Sequence, residues 1–207
     1  MNNQVIHIIN LDISQPIDPY ATTENIEKIK RLREERVLSI ASQSKQQGFA
    51  VRFWEGVTGS KQSFTNVNLA FKQIVRYAKE NNLPHVTIGE DDLQFTAIGA
   101  WQYYLKNFPE EFDIYSGGIY AGQLSGNRIV NGYSGHTLIT VHKNFYDFFL
   151  SANEGDHLDR FFGNYAFEKK FIVCIPFVVK QNPGYSENHK TFISTYEAYE
   201  ESWIYFT

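Results

Sequence analysis

Cysteine is almost missing from this chain. Cys174 is the only one in 207 residues, so neither an internal disulfide nor a cysteine-based zinc site can form within it. It lies in the apolar run FIVCIPFVV, where a buried thiol is the ordinary expectation. Long apolar runs are missing too: none approaches the ~18 residues that span a bilayer, and MNNQVIHIINLD has neither the basic start nor the cleavage pattern of a secretory leader. These absences suit a reducing compartment, and a cytoplasmic protein with no transmembrane segment is expected. A basic excess is also lacking. With 19 Lys and Arg against 23 Asp and Glu, the formal charge of -4 speaks against a nucleic-acid footprint. The one basic cluster, EKIKRLREER at 27–36, is interleaved with acids, as on a solvated helix face with i,i+4 pairs.

Aromatic residues are plentiful, with 13 Tyr, 17 Phe and 3 Trp, enough for a large core or for stacking on flat ligands and sugars. No repeat and no low-complexity linker divides the sequence, so residues 1–207 read as one domain. The run QVIHIINL predicts a buried strand, and residues 22–48 predict a helix capped by Thr22 or Thr23 and ended by Gly48. FAVRFWEGV predicts a second strand. Phe64, Val67, Phe71, Ile74, Val75 and Ala78 fall at helical spacing. Downstream, HVTIG, FDIYSGGIY, HTLITV and FIVCIPFVV read as strands, with helices around 98–107, in NFYDFFLSA and in DHLDRFFGNYAF, and a turn containing Gly122 and Gly126. Strands separated by helices imply an α/β fold with a mostly parallel central sheet covered on both faces.

The strand HVTIG runs straight into Glu90, Asp91 and Asp92. In open α/β sheets ligands bind beyond the carboxyl ends of the strands. Extended alternation would turn Glu90 and Asp92 to one side and Asp91 to the other. Two carboxylates facing one point repel, and a hard divalent ion such as Mg2+ or Mn2+ resolves that while also holding diphosphate oxygens. The competing reading is plain capping of the next helix, since acids favour helix N-termini.

VIHIINLD, VRFWEGV, HVTIGEDDLQF, GYSGHTLITVHKNFYDFFLSA, DHLDRFF and PFVVKQNPGYSEN follow one another in an order that resembles glycosyltransferase family 25, which includes lipopolysaccharide β-galactosyltransferases and collagen galactosyltransferase domains. The resemblance covers most of the chain, and its sharp part is the Glu-Asp-Asp strand end. It implies a single GT-A-like domain, a nucleotide-sugar donor, UDP-sugar first, a saccharide acceptor, and Mn2+ or Mg2+ on the donor diphosphate. Lipopolysaccharide biosynthesis is one setting it implies.

Carried onto this sequence, the resemblance makes Asn10, Arg36, Glu90, Asp91, Gln181 and Ser186 donor-binding candidates. Glu90, Asp92 and His189 become metal-ligand candidates. An inverting transfer needs a carboxylate to take the acceptor hydroxyl proton. Asp156, ahead of Asp159, is the candidate in NEGDHLDRFF, although Asp156 could equally cap the helix and Asp159 lie on its wet face. His7 reads as a satisfied core histidine, while His136 and His142 flank a strand. The expected activity is a metal-dependent hexosyl transfer, galactose included. A metal-dependent phosphoester hydrolase and a non-catalytic saccharide-binding domain are the alternatives.

Overall fold

The computed structural model describes residues 5–17, 21–186 and 190–193. Its elements run β1 (Val5–Asn10), α1 (Thr23–Gln47), β2 (Ala50–Glu55), α2 (Ser63–Glu80), β3 (His85–Glu90), β4 (Leu93–Phe95), α3 (Ala100–Lys106), β5 (Ile114–Ser116), β6 (Ala121–Ser125), β7 (Arg128–Ser134), β8 (Leu138–His142), α4 (Tyr146–Ser151), α5 (Leu158–Gly163), β9 (Phe171–Val173), β10 (Val179–Gln181), β11 (Gly184–Ser186) and β12 (Thr191–Ile193). The 8-stranded central sheet has the order β2-β1-β3-β8-β5-β9-β7-β6, and small pairs join β10 to β4 and β11 to β12. β1 lies parallel between β2 and β3, while β8 and β7 run against their neighbours. The α/β class, with a large and mostly parallel central sheet flanked by helices, is therefore the one observed. Among the described residues no helix is long and apolar enough to cross a membrane.

Strand alternation feeds two cores. Val86, Ile88, Ile114, Ile139 and Val141 point to the face covered by α2, α4 and α5. Ile6, Ile8, Tyr115 and Leu138 point to the other face, under α1 and α3. Fully burying each such aliphatic side chain contributes roughly 1.5–3 kcal/mol. α1 begins where Thr22 accepts a hydrogen bond from the Asn25 amide, and it ends at Gly48, whose φ of 74° is the left-handed cap that glycine takes without a Cβ clash.

Three sequence expectations change. The run FIVCIPFVV is divided between β9 and β10, which belong to different sheets. The Gly122 to Gly126 stretch contains a strand, and β6 and β7 form a hairpin with irregular register. The basic cluster of α1 also differs from a solvated face. Lys30–Glu27 and Arg31–Glu35 pair in solvent, but Arg33 is 3% exposed and Arg36 points inward.

Candidate active site

β1, β2 and β3 all end at one side of the sheet, and a cavity of about 730 Å³ opens there. Its walls come from the end of β1, the loop 56–62, the first turns of α2, the acidic turn after β3, and residues 181–186, 190 and 193. The loop behind β1 is stapled from below. Arg33 donates to the carbonyls of Asp12 (3.0 Å), Gln15 (2.9 Å) and Pro16 (3.3 Å).

Extended structure stops at Glu90, so the alternation expected for the three acids stops there too. Asp91 and Asp92 both face Arg36, with Nη1 donating to Asp91 Oδ1 at 3.0 Å and Nη2 lying 3.6 Å from Asp92 Oδ2. Asp91 Oδ2 accepts from the Leu11 amide at 3.4 Å. Glu90 instead accepts from the Gln181 side chain at 3.0 Å. Burial is the main reason all three carboxyls are displaced upward. Glu90 is pushed well above the carboxylate range, with Asp92, Asp91 and Asp159 adding to the effect. Asp92 is pushed up to about 6 by burial, against the pull of Arg36. Asp91 rises less freely, because Arg36 and the Leu11 amide favour its charge.

Among the described residues, no three His, Cys, Asp or Glu side chains form a ready-made ligand cluster. Asp92 Oδ1, however, is buried and has no hydrogen-bond partner. Two crowded carboxylates with an unused acceptor fit a divalent cation that completes its shell with ligand oxygens, the way Mg2+ combines one or two carboxylates with substrate phosphates. His189 lies outside the described residues.

The remaining expected residues divide. Arg36, Glu90, Asp91, Asp92, Gln181 and Ser186 line the cavity. Asn10 ends β1 beside it with a buried, unpartnered Oδ1, while its carbonyl accepts from the Gly56 amide. Asp156 and Asp159 stand outside the lining. The Asp156 carboxylate accepts from the Asn153 amide at 2.7 Å and so closes its own turn. Asp159, in the first turn of α5, accepts from Ser134 Oγ and the Gly135 amide, each at 3.1 Å. Its charge still reaches Glu90 and His136. His136 is buried against Phe71, Tyr133 and Phe162, its Nε2 has no partner, and burial pulls its pKa down to about 4 against the opposing Asp159 charge.

Residues that sequence reasoning passed over include Lys61, Asn66 and Lys190 on the cavity walls, and Asn68 and Lys72 behind them. Lys61 follows the glycine pair Gly56 and Gly59, and that turn composition was the available signal. His7 is the satisfied core histidine expected, its Nδ1 accepting from Trp54 Nε1 at 2.8 Å.

No family model and no curated protein matches the sequence, so the likeness to family 25 has no matching relative behind it. Solved structures do match. A197 from STIV superposes with a TM-score of 0.51 at 8% identity, covering 92% of this chain and 93% of that one. The two share a fold. A glycosyltransferase involved in the glycosylation of the major capsid of PBCV-1 gives 0.47 at 12%, covering 97% and 99%. A Drosophila β1,4-galactosyltransferase 7 mutant in complex with manganese, UDP-Gal and xylobiose gives 0.44 at 10%, covering 94% and 73%.

Proposed function

We propose that residues 1–207 form a single metal-dependent glycosyltransferase domain that moves a hexose, galactose being the first to try, from a nucleotide-diphosphate sugar to a saccharide hydroxyl with inversion. One observation carries this reading: three crowded, mutually repelling carboxylates, Asp91 buried and Glu90 and Asp92 half-buried, one with an unpartnered oxygen, meet at the carboxyl end of β3 on the wall of a cavity of about 730 Å³. The volume lies in the range of small-molecule and cofactor sites. Glu90 and Asp92 are the residues that would hold the metal. When bound, the metal supplies positive charge for the departing diphosphate.

The chain's own residues supply the rest. Lys61 and Lys190, on the cavity wall, add cationic side chains for donor phosphates. Gln181 holds Glu90 in place through its amide. Asp159 supports the role of acceptor base better than Asp156 because its charge is felt at Glu90; both carboxylates already accept hydrogen bonds, Asp156 from the Asn153 amide and Asp159 from Ser134 Oγ and the Gly135 and Arg160 amides. Proton removal by Asp159 from the acceptor hydroxyl, as the sugar–phosphate bond breaks, is the expected acid–base step.

Isothermal titration of metal-free protein with UDP, GDP and CDP, each with and without Mn2+, tests the reading. The expected result is Mn2+-dependent binding of UDP, at least about a hundredfold weaker in Asp92→Asn, a charge and metal-ligand loss. No binding of any nucleotide under either condition would overturn it. Turnover of simple phosphoesters without a sugar acceptor would instead favour the hydrolase.

A further inference from the structure

Arg36 sits where the acidic turn meets the C-terminal wall of the cavity. Besides its contacts with Asp91 (3.0 Å) and Asp92 (3.6 Å), its Nη2 donates to the Tyr185 carbonyl on β11 at 3.4 Å. The side chain is only 16% exposed. Gly184 permits this approach, since a Cβ there would stand 2.9 Å from Nη2. The wall is tied to the same turn twice more. Gln181 donates to Glu90 at 3.0 Å, and the Asn182 amide donates to the Asp92 carbonyl at 2.8 Å. From α1, Lys28 Nζ lies 3.9 Å over the ring of Phe192 on β12, and that ring packs edge-on to Tyr185.

A guanidinium placed here offsets charge on the buried Asp91 and the half-buried Asp92 while its planar fork reaches a carbonyl on another element, a span that a lysine ammonium does not match. Arg36 uses Asp91 Oδ1 and approaches Asp92 Oδ2, Gln181 uses Glu90 Oε2, and Asp92 Oδ1 stays unpartnered. Arginine and an incoming cation therefore need not compete for one oxygen.

We propose that Arg36 is a resident counter-ion and a latch: it holds the acidic turn in shape before any metal arrives, and it fastens the β11–β12 wall to that turn. The counter-ion half rests on the reading of Glu90 and Asp92 as cation ligands, whereas the latch rests on the hydrogen bonds alone. Without the guanidinium, both turn and wall come to depend on a divalent cation.

Amide hydrogen exchange on the full chain tests this, followed on peptides covering β10 to β12 in wild type, Arg36→Lys and Arg36→Met, each metal-free and with Mn2+. In wild type the wall should exchange slowly in both conditions. In Arg36→Met it should exchange about tenfold faster without metal and return toward wild type with Mn2+. Arg36→Lys, which keeps the charge and loses the fork, should fall between, and it carries the test if Arg36→Met does not fold. Unchanged exchange in the metal-free variants overturns the latch. Faster exchange that Mn2+ fails to slow overturns the counter-ion. A wild type that binds no Mn2+ by calorimetry overturns the proposed function instead, and leaves the latch to the metal-free comparison.

Discussion

Glu90 differs from its two neighbours in what answers its charge. Asp91 and Asp92 face a guanidinium, but Glu90 is held by the neutral amide of Gln181. Burial and three surrounding carboxylates raise its pKa well above the usual value of 4.5. For an acid with a raised folded-state pKa, the cost is absent at low pH and appears as pH climbs from the unfolded value toward the folded one. Glu90→Gln keeps an acceptor for Gln181 and removes the charge. The variant should therefore be more stable than wild type when metal-free at pH 7, by about 1 kcal/mol or 2–4 °C in Tm, and should lose Mn2+ binding. Metal-free melts at pH 7 and pH 4.5 check the stability, because the gain must shrink at the lower pH, and Mn2+ titration by calorimetry checks the binding. A variant less stable than wild type at pH 7 would show that the carboxylate is not under strain.

At the scale of elements, α2 works on two faces. Ser63, Asn66, Val67 and Phe71 line the cavity. The flank beside them grips the turn before α5: Phe64 stacks on His157 at 4.0 Å, Asn68 donates to the carbonyls of Asn153 (2.7 Å) and Asp156 (2.9 Å), and Lys72 donates to the Ala152 carbonyl. Burial, with Arg76 adding, lowers the Lys72 pKa. Replacing Asn68 by Ala, at a fully buried position, removes the donor to the Asp156 carbonyl and leaves the Asn153 carbonyl with the Asp156 amide alone. It should cost about 2 kcal/mol and speed amide exchange across residues 153–157, which urea titration and exchange on that peptide would measure. Unaltered exchange there would mean that the turn holds itself, through the Asp156 carboxylate on the Asn153 amide and the Asp156 amide on the Asn153 carbonyl.

The same elements show what the sequence made legible. β1, α2 and β3 were readable because their apolar residues keep one period throughout and each ends in a clear break. β6 and β7 were not, because AGQLSGNRIVNGYS alternates poorly and carries glycines that read as turns. The acidic turn was visible as three carboxylates at a strand end. The inward side of α1 was hidden by its charges, since 27–36 looks like a run of solvated pairs. Ile29, Arg33, Arg36 and Ile40 nevertheless lie at i, i+4, i+7 and i+11, so both arginines fall on the helix's buried stripe. That phase was the signal. Asn68 and Lys72 were missed for another reason: their partners are backbone carbonyls some 80 residues away, which leave no pattern in side-chain chemistry.

For the whole molecule, stability in acid is a balance between the buried histidine His7 and the raised carboxyls Glu90 and Asp92. The folded chain keeps His7 neutral, at about 4, through burial first and then the nearby Arg52 charge. Its Nδ1 is occupied by the Trp54 indole N–H, and Arg52 lies over the Trp54 and Tyr77 rings. In the unfolded chain the same histidine titrates at its ordinary 6.5. A depressed histidine contributes stability that is fully present above the unfolded pKa and is lost as pH falls from 6.5 toward 4. The loss is about 2 kcal/mol once solvent screening is allowed for. Glu90 and Asp92 push the other way, since acid relieves their repulsion, so the raw stability profile of the wild type mixes the two. His7→Gln separates them: glutamine can still accept from Trp54 and does not titrate. Plotted as wild type minus variant, the urea-unfolding free energy should be flat above pH 7 and fall by about 2 kcal/mol between pH 6.5 and 4. A difference that stays level across that window would mean His7 is protonated in the folded protein, and that the indole hydrogen bond does not hold its acceptor nitrogen free of a proton.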